Sequence, residues 1–174
     1  MTTIRPGTTA DRPYRADEVF FTAVGYYIAA RRAYENVSVG PHTHQSLPNP
    51  CAMNASFSSE LFIKSLLLLQ SPTPARGHDL RKLYDRLPAD DHKAAAALYS
   101  RYPGYSVDGD VDKTHDYFEV MRYYFEHIMT STGFDPNAAL RLADSLYRLA
   151  AAKHRKPVVY TEWGSGRDGP IRST

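Results

Sequence analysis

Sulfur and indole are scarce in this chain, which holds one cysteine, Cys51, and one tryptophan in 174 residues. A single cysteine excludes an intrachain disulfide and fits a reducing compartment, so the fold must close on its core alone. A chain of this length can do that as one domain. Long apolar runs are missing as well. The longest, Leu66 to Leu69 with its neighbours, falls far short of the roughly 20 residues a membrane helix needs. No apolar run follows the opening M-T-T-I-R-P-G, so no secretory signal is expected there. These absences predict a cytoplasmic protein without a membrane span. The chain also lacks a Walker-type glycine loop, a nucleophile elbow and a dinucleotide fingerprint.

Metal-ligand patterns are weak. His42 and His44 lie in a proline-rich stretch with no cysteine or carboxylate at ligand spacing, which makes a zinc site improbable. Asp108-Gly-Asp110-Val-Asp112, with Glu119 further on, imitates the spacing of a calcium loop. Lys113 stands where such a loop needs a sharp-turn glycine, and Pro103-Gly104 leaves no entering helix. An acidic cap before the next helix is the better account of these aspartates. No metal and no cofactor are expected.

What the chain does have is aromatic side chains, with 13 Tyr and 7 Phe, and an uneven charge distribution beneath a net charge of +2. Arg5, Arg12 and Arg15 face only Asp11 near the start. Lys153, Arg155, Lys156, Arg167 and Arg172 face Glu162 and Asp168 at the end. Basic ends on a mildly acidic body can contact phosphates, although solvated tails are the commoner reason for them. Residues 1–15, with Pro6, Gly7 and Pro13, read as a flexible arm, residues 16–155 as the folded domain, and residues 156–174 as a flexible basic tail.

Within the domain the apolar residues recur at helical steps. Phe20, Ala23, Val24, Tyr27 and Ile28 predict a helix over 17–36. Gly40, Pro41, Pro48 and Pro50 predict a long loop over 37–50. A second helix over 52–70 is apolar on every side in its tail, the mark of a central bundle helix. Asp79 is a good N-cap for a third over 80–87. Asp90 or Asp91 caps a fourth running through Ala94 to Tyr99, and an Asp-rich loop follows. Helices over 115–129 and 137–154 complete the set, the last with Asp135 as cap, Pro136 in its first turn and an inward stripe of Ala139, Leu142, Ala143, Leu146, Leu149 and Ala150. The fold class is therefore all-α: an up-and-down helical bundle of about five helices.

The most informative stretch runs from Ser59 to Pro88. Glu60 and Lys64 sit one turn apart inside a nearly all-apolar helix, and a Gly77-His78-Asp79-Leu80 corner opens the next. Charges in a buried helix are costly unless paired, so the block predicts a buried polar network. Glu60 would pair with Lys64 or Arg122, and His78 would tie the corner to the second helix. Alternatively, Lys64 and His78 turn toward a phosphate-bearing ligand. The structural reading is preferred. Further on, Glu126 lies four residues after Arg122, in reach of an intrahelical ion pair. His127, five residues after Arg122, points about 140° away on a straight helix. The two share a site only through an irregular helix end or a second subunit.

The block Glu60-Leu-Phe-Ile-Lys64-Ser-Leu-Leu, the Gly77-His78-Asp79-Leu80 corner with Leu83 and Leu87-Pro88, and Arg122-Tyr-Tyr-Phe-Glu126 resemble bacterial HEPN (higher eukaryotes and prokaryotes nucleotide-binding) domain proteins. The matching positions lie within residues 52–127. The resemblance implies a helical bundle that forms a homodimer. Many members are metal-independent ribonucleases of toxin–antitoxin or phage-defence systems. Others are non-catalytic binding modules or partners of nucleotidyltransferases. In the nuclease members an Arg precedes a His by four to six residues, usually with a polar residue just after the Arg. Arg122 and His127 match that spacing, while Tyr123 departs from the polar residue. The resemblance would make Arg122 the group that stabilises charge on the scissile phosphate and His127 the acid or base toward the ribose 2′-hydroxyl. The expectation is a non-catalytic module binding RNA, a nucleotide or a partner protein such as an antitoxin or nucleotidyltransferase. The alternative is an endoribonuclease with a composite Arg122/His127 site at a homodimer interface.

Overall fold

The computed structural model describes residues 15–35, 37–40, 43–45, 47–122 and 134–158, with 37–40, 43–45 and 122 described by their backbone alone. Most of the arm and most of the tail expected at the two ends lie outside these residues. The molecule is an all-α bundle. Its helices are α1 (Ala16–Tyr34), α2 (Pro48–Leu68), α3 (Leu80–Tyr84), α4 (Ala89–Tyr99), α5 (Val107–Thr114), α6 (Tyr117–Arg122) and α7 (Pro136–Lys153). No helix among the described residues is long and apolar enough to cross a membrane.

Helices α1, α2 and α7 form the centre, joined by a cluster of rings. Phe62 of α2 lies 5.9 Å from Phe20 and 5.7 Å from Tyr147, and Tyr147 of α7 lies 5.3 Å from Tyr27. Helices α4 and α5 pack across α7, while α3 and α6 flank α2. Buried on nearly every side, α2 also carries buried serines. Ser58 and Ser59 donate to the Ala55 carbonyl at 2.8 and 2.9 Å, and Ser65 donates to Phe62 at 2.8 Å. These three hydroxyls find their acceptors inside their own helix, which lets small polar residues pass through an apolar core, whereas the buried Ser56 hydroxyl has no partner among the described residues.

The structure departs from the sequence expectations at several places. Residues 37–50 are not one long loop. Val37–Gly40 and Thr43–Gln45 pair as a short antiparallel hairpin, with Val37 opposite Gln45 and Ser38 opposite His44. Helix α2 then starts at Pro48, earlier than expected. Pro48 and Pro50 fall in its first turn, where the backbone N–H groups have no helical acceptor, so a missing N–H removes no helical bond.

The Asp-rich segment is likewise a helix, α5, rather than a loop. Ser106 caps it by accepting from Gly109 N at 3.1 Å, and Asp108 and Asp110 in its first turn suit the helix dipole. Helix α3 closes at Tyr84, three residues before its expected end. Of the helix expected over 115–129, the described part is α6, which begins at Tyr117; residues 123–133 lie outside the described ones.

Helix α7 is capped as expected, Asp135 accepting from Ala138 N at 3.1 Å. It is not buried along one stripe only. Nearly every residue from Ala138 to Ala151 is buried, including Arg141, Asp144 and Ser145. At its end His154 lies against Phe20, with ring centroids 4.9 Å apart, and sets Nδ1 3.2 Å from Asp17 and Nε2 3.3 Å from Ser65 Oγ. This contact ties the end of α7 to α1 and α2.

Candidate functional site

Glu60 sits just past the middle of α2, on the side that meets the α3 corner, and is 1 % exposed. Lys64, one turn on, reaches its Oε1 at 2.7 Å. The left-handed Gly77, at φ +92°, turns the incoming chain so that His78 swings back onto α2. His78 Nδ1 lies 3.1 Å from both Glu60 oxygens. A carboxylate only accepts, so Nδ1 carries the proton in this contact. With the His78 side chain 42 % exposed, the imidazole stands at the surface while its orienting carboxylate is buried. The next residue, Asp79, caps α3 by accepting from Lys82 N at 3.0 Å, and that hydrogen bond holds its pKa below the usual carboxylate range.

Aromatic rings line the adjoining surface. Phe118 of α6 lies 5.4 Å from the His78 ring and stacks on Phe57 of α2 at 4.3 Å. Tyr26 of α1 meets Phe57 edge-on at 4.6 Å. Exposed Arg76 precedes the corner. The corner thus gathers an ammonium paired with Glu60, an oriented imidazole and an aromatic ring, with the exposed Arg76 two residues before His78 in the chain.

The structure thus brings Glu60, Lys64 and His78 together. Arg122 is the final residue of α6, and Glu126 and His127 lie outside the described residues. On α6, Tyr117 and Met121 are buried.

Two further buried clusters carry charge, and the sequence reading missed both. Asp144, fully buried on α7, accepts from Tyr27 at 2.9 Å, Tyr102 at 2.9 Å and Arg148 Nε at 3.0 Å, with Arg101 Nη1 at 3.5 Å. Asp110 on α5 forms a two-bond fork with Arg141 at 2.8 and 2.9 Å and accepts from Tyr99 at 2.8 Å. The Arg141 guanidinium lies 3.7 Å from the Tyr105 ring centre. Burial first, then Asp144 and Asp110, push the hydroxyls of Tyr27, Tyr102 and Tyr99 well above the ordinary phenol range. The signal for both clusters was available: Arg141 and Asp144 interrupt an apolar helix as Glu60 and Lys64 do.

These clusters also account for the calcium-like spacing. Asp108 and Asp112 are paired with Arg81, at 3.0 and 3.2 Å, and Asp110 with Arg141. Among the described residues no group of three or more His, Cys, Asp or Glu is arranged to hold a metal ion. Cys51 is buried and its thiol is pushed up to about 12 by burial, which leaves it unreactive as a nucleophile.

Breaking the α2–α3 cluster tests its part in stability. Glu60→Ala is expected to lower unfolding free energy by about 2 kcal/mol, since it strands a part-buried ammonium and an oriented imidazole. His78→Ala, at a half-exposed site, should lose about 1 kcal/mol. Urea titrations that leave both variants as stable as the parent would show the cluster to be energetically idle. Comparison with protein-family models, with curated proteins and with solved structures finds no match to this chain.

Proposed function

We propose that this chain is a HEPN-like, non-catalytic helical module that binds RNA or a nucleotide through the corner formed by Lys64, Arg76 and His78. The observation that supports this reading is the buried Glu60 carboxylate, which holds a part-buried ammonium and a half-exposed imidazole on the same group. Glu60 cancels the charge of Lys64 and Asp79 that of Lys82, so Arg76 leaves the corner net positive. Phosphate oxygens are recognised by such donors without reading sequence, while a base can rest against an aromatic edge such as Phe118.

The test is fluorescence anisotropy with a labelled single-stranded RNA in EDTA at low salt. Binding that weakens about tenfold in a Lys64→Ala/Arg76→Ala variant, with a salt slope reduced by about 1 per phosphate contact removed, is the expected result. Unchanged affinity in that variant overturns the site. Cleavage of the RNA in EDTA, abolished by Arg122→Ala and by His127→Ala, would instead assign the metal-independent endoribonuclease.

A further inference from the structure

We propose that Arg101 and Arg148, the two guanidiniums that share the buried Asp144, form a binding site for a phosphate group. Asp144 Oδ2 accepts from Tyr102 at 2.9 Å and from Arg148 Nε at 3.0 Å, and Arg101 Nη1 reaches it at 3.5 Å. The other oxygen, Oδ1, accepts from Tyr27 at 2.9 Å. Two cations therefore share one carboxylate that two phenols also use. Among the described residues no other carboxylate pairs with either arginine, so the group keeps an excess of positive charge.

The unmet donor is on Arg148. Arg141, two turns earlier on α7, sets Nε and Nη2 on the two oxygens of Asp110 as a complete fork. Arg148 makes only half of one. Its Nε is bonded, and its Nη2 is buried without a hydrogen-bond partner among the described residues. A charged donor left unmet inside a protein costs more than a neutral one, so such an atom marks the place of a missing acceptor. Arg101 has donors to spare as well, since only its Nε makes a short bond, to the Leu98 carbonyl at 2.9 Å.

Charge and shape identify the acceptor. A carboxylate is satisfied by one planar fork, as Asp110 is by Arg141. A tetrahedral phosphate offers oxygens in several directions and can accept from Arg148 Nη2 and Arg101 together, although the two side chains come from different elements, α7 and the turn after α4. Its negative charge answers the excess left beside Asp144. The Arg148 side chain is 14 % exposed and that of Arg101 33 %, so the anion enters on the Arg101 side and draws that guanidinium off its long contact with Asp144.

The test needs no RNA and none of Lys64, Arg76 or His78, so its outcome is separable from the binding reading above. Calorimetric titration of the full chain at fixed ionic strength should give saturable binding of inorganic phosphate with a dissociation constant of about 1 mM. A ribonucleoside 5′-monophosphate in a second arm tells free phosphate from phosphate carried on a nucleotide. The melting midpoint should rise by about 5 °C in about 20 mM phosphate. Acetate at the same ionic strength should do neither, and the Lys64→Ala/Arg76→Ala variant should keep the phosphate response. Arg101→Ala, at a part-exposed position, should weaken phosphate binding about tenfold, and so should Arg148→Lys, which keeps the charge beside Asp144 and removes the planar edge. No saturable binding, a response that acetate reproduces, or an affinity unchanged in either variant overturns the proposal, and Arg148 Nη2 then faces only an ordered water.

Discussion

Asp144→Ala is expected to lower unfolding free energy by about 4 kcal/mol, a large share of the roughly 5–15 kcal/mol that holds a domain together. The carboxylate is fully buried and serves Tyr27 from α1, Tyr102 from the loop after α4, and Arg148 from its own helix. Alanine would leave two buried hydroxyls and a guanidinium without their acceptor, each a separate desolvation loss. A second readout follows from the raised hydroxyl pKa values. Groups held neutral in the fold contribute stability that is full below the ordinary phenol value, near 10, and is lost as pH rises beyond it. Asp144 supplies part of that rise and burial the larger part, so the alkaline loss should shrink in the variant without vanishing. Urea midpoints at neutral and strongly alkaline pH measure both effects. A variant within about 1 kcal/mol of the parent would mean that water reaches this part of the core.

Arg141→Ala should cost a similar amount, about 3–4 kcal/mol, because it strands the buried Asp110 carboxylate. The guanidinium makes two parallel hydrogen bonds to Asp110 and lies under Tyr105, so its plane matters as well as its charge. Arg141→Lys is therefore expected to restore only a minor part of the loss, since an ammonium cannot reproduce the fork. The paired replacement Asp110→Asn/Arg141→Leu removes both charges together and should be milder than Arg141→Ala alone. Equal losses in the single and paired variants would show that the ion pair is not the source of the effect.

The helical fold was legible in the sequence because its signals are local. The three- and four-residue apolar steps of α1, the all-apolar tail of α2 and the Asp135-Pro136 start of α7 each announce a helix without tertiary help. The misreadings have physical causes of the same scale. By sequence alone Pro48 and Pro50 look like breakers, yet in a first turn a proline removes no helical bond. The aspartates of α5 look like a loop in sequence, since their partners Arg81 and Arg141 lie far along the chain.

The Glu60–Lys64–His78 cluster was partly legible for the opposite reason. Glu60 and Lys64 are one turn apart, and the Gly77 corner places His78 only a short loop away. Asp144 was missed because three of its partners, Tyr27, Arg101 and Tyr102, come from other elements, and no spacing rule joins residue 27 to residue 144.

That last separation has a bearing on how the chain is made. Tyr27 and Phe62 leave the ribosome early, but Asp144 and Tyr147, which complete their surroundings, belong to the last described helix. Until α7 has been synthesised, the first two helices offer bare rings and an unanswered hydroxyl to solvent or to a chaperone. A nascent chain stalled before that point lacks the side chains that close this part of the core, and they arrive only with α7.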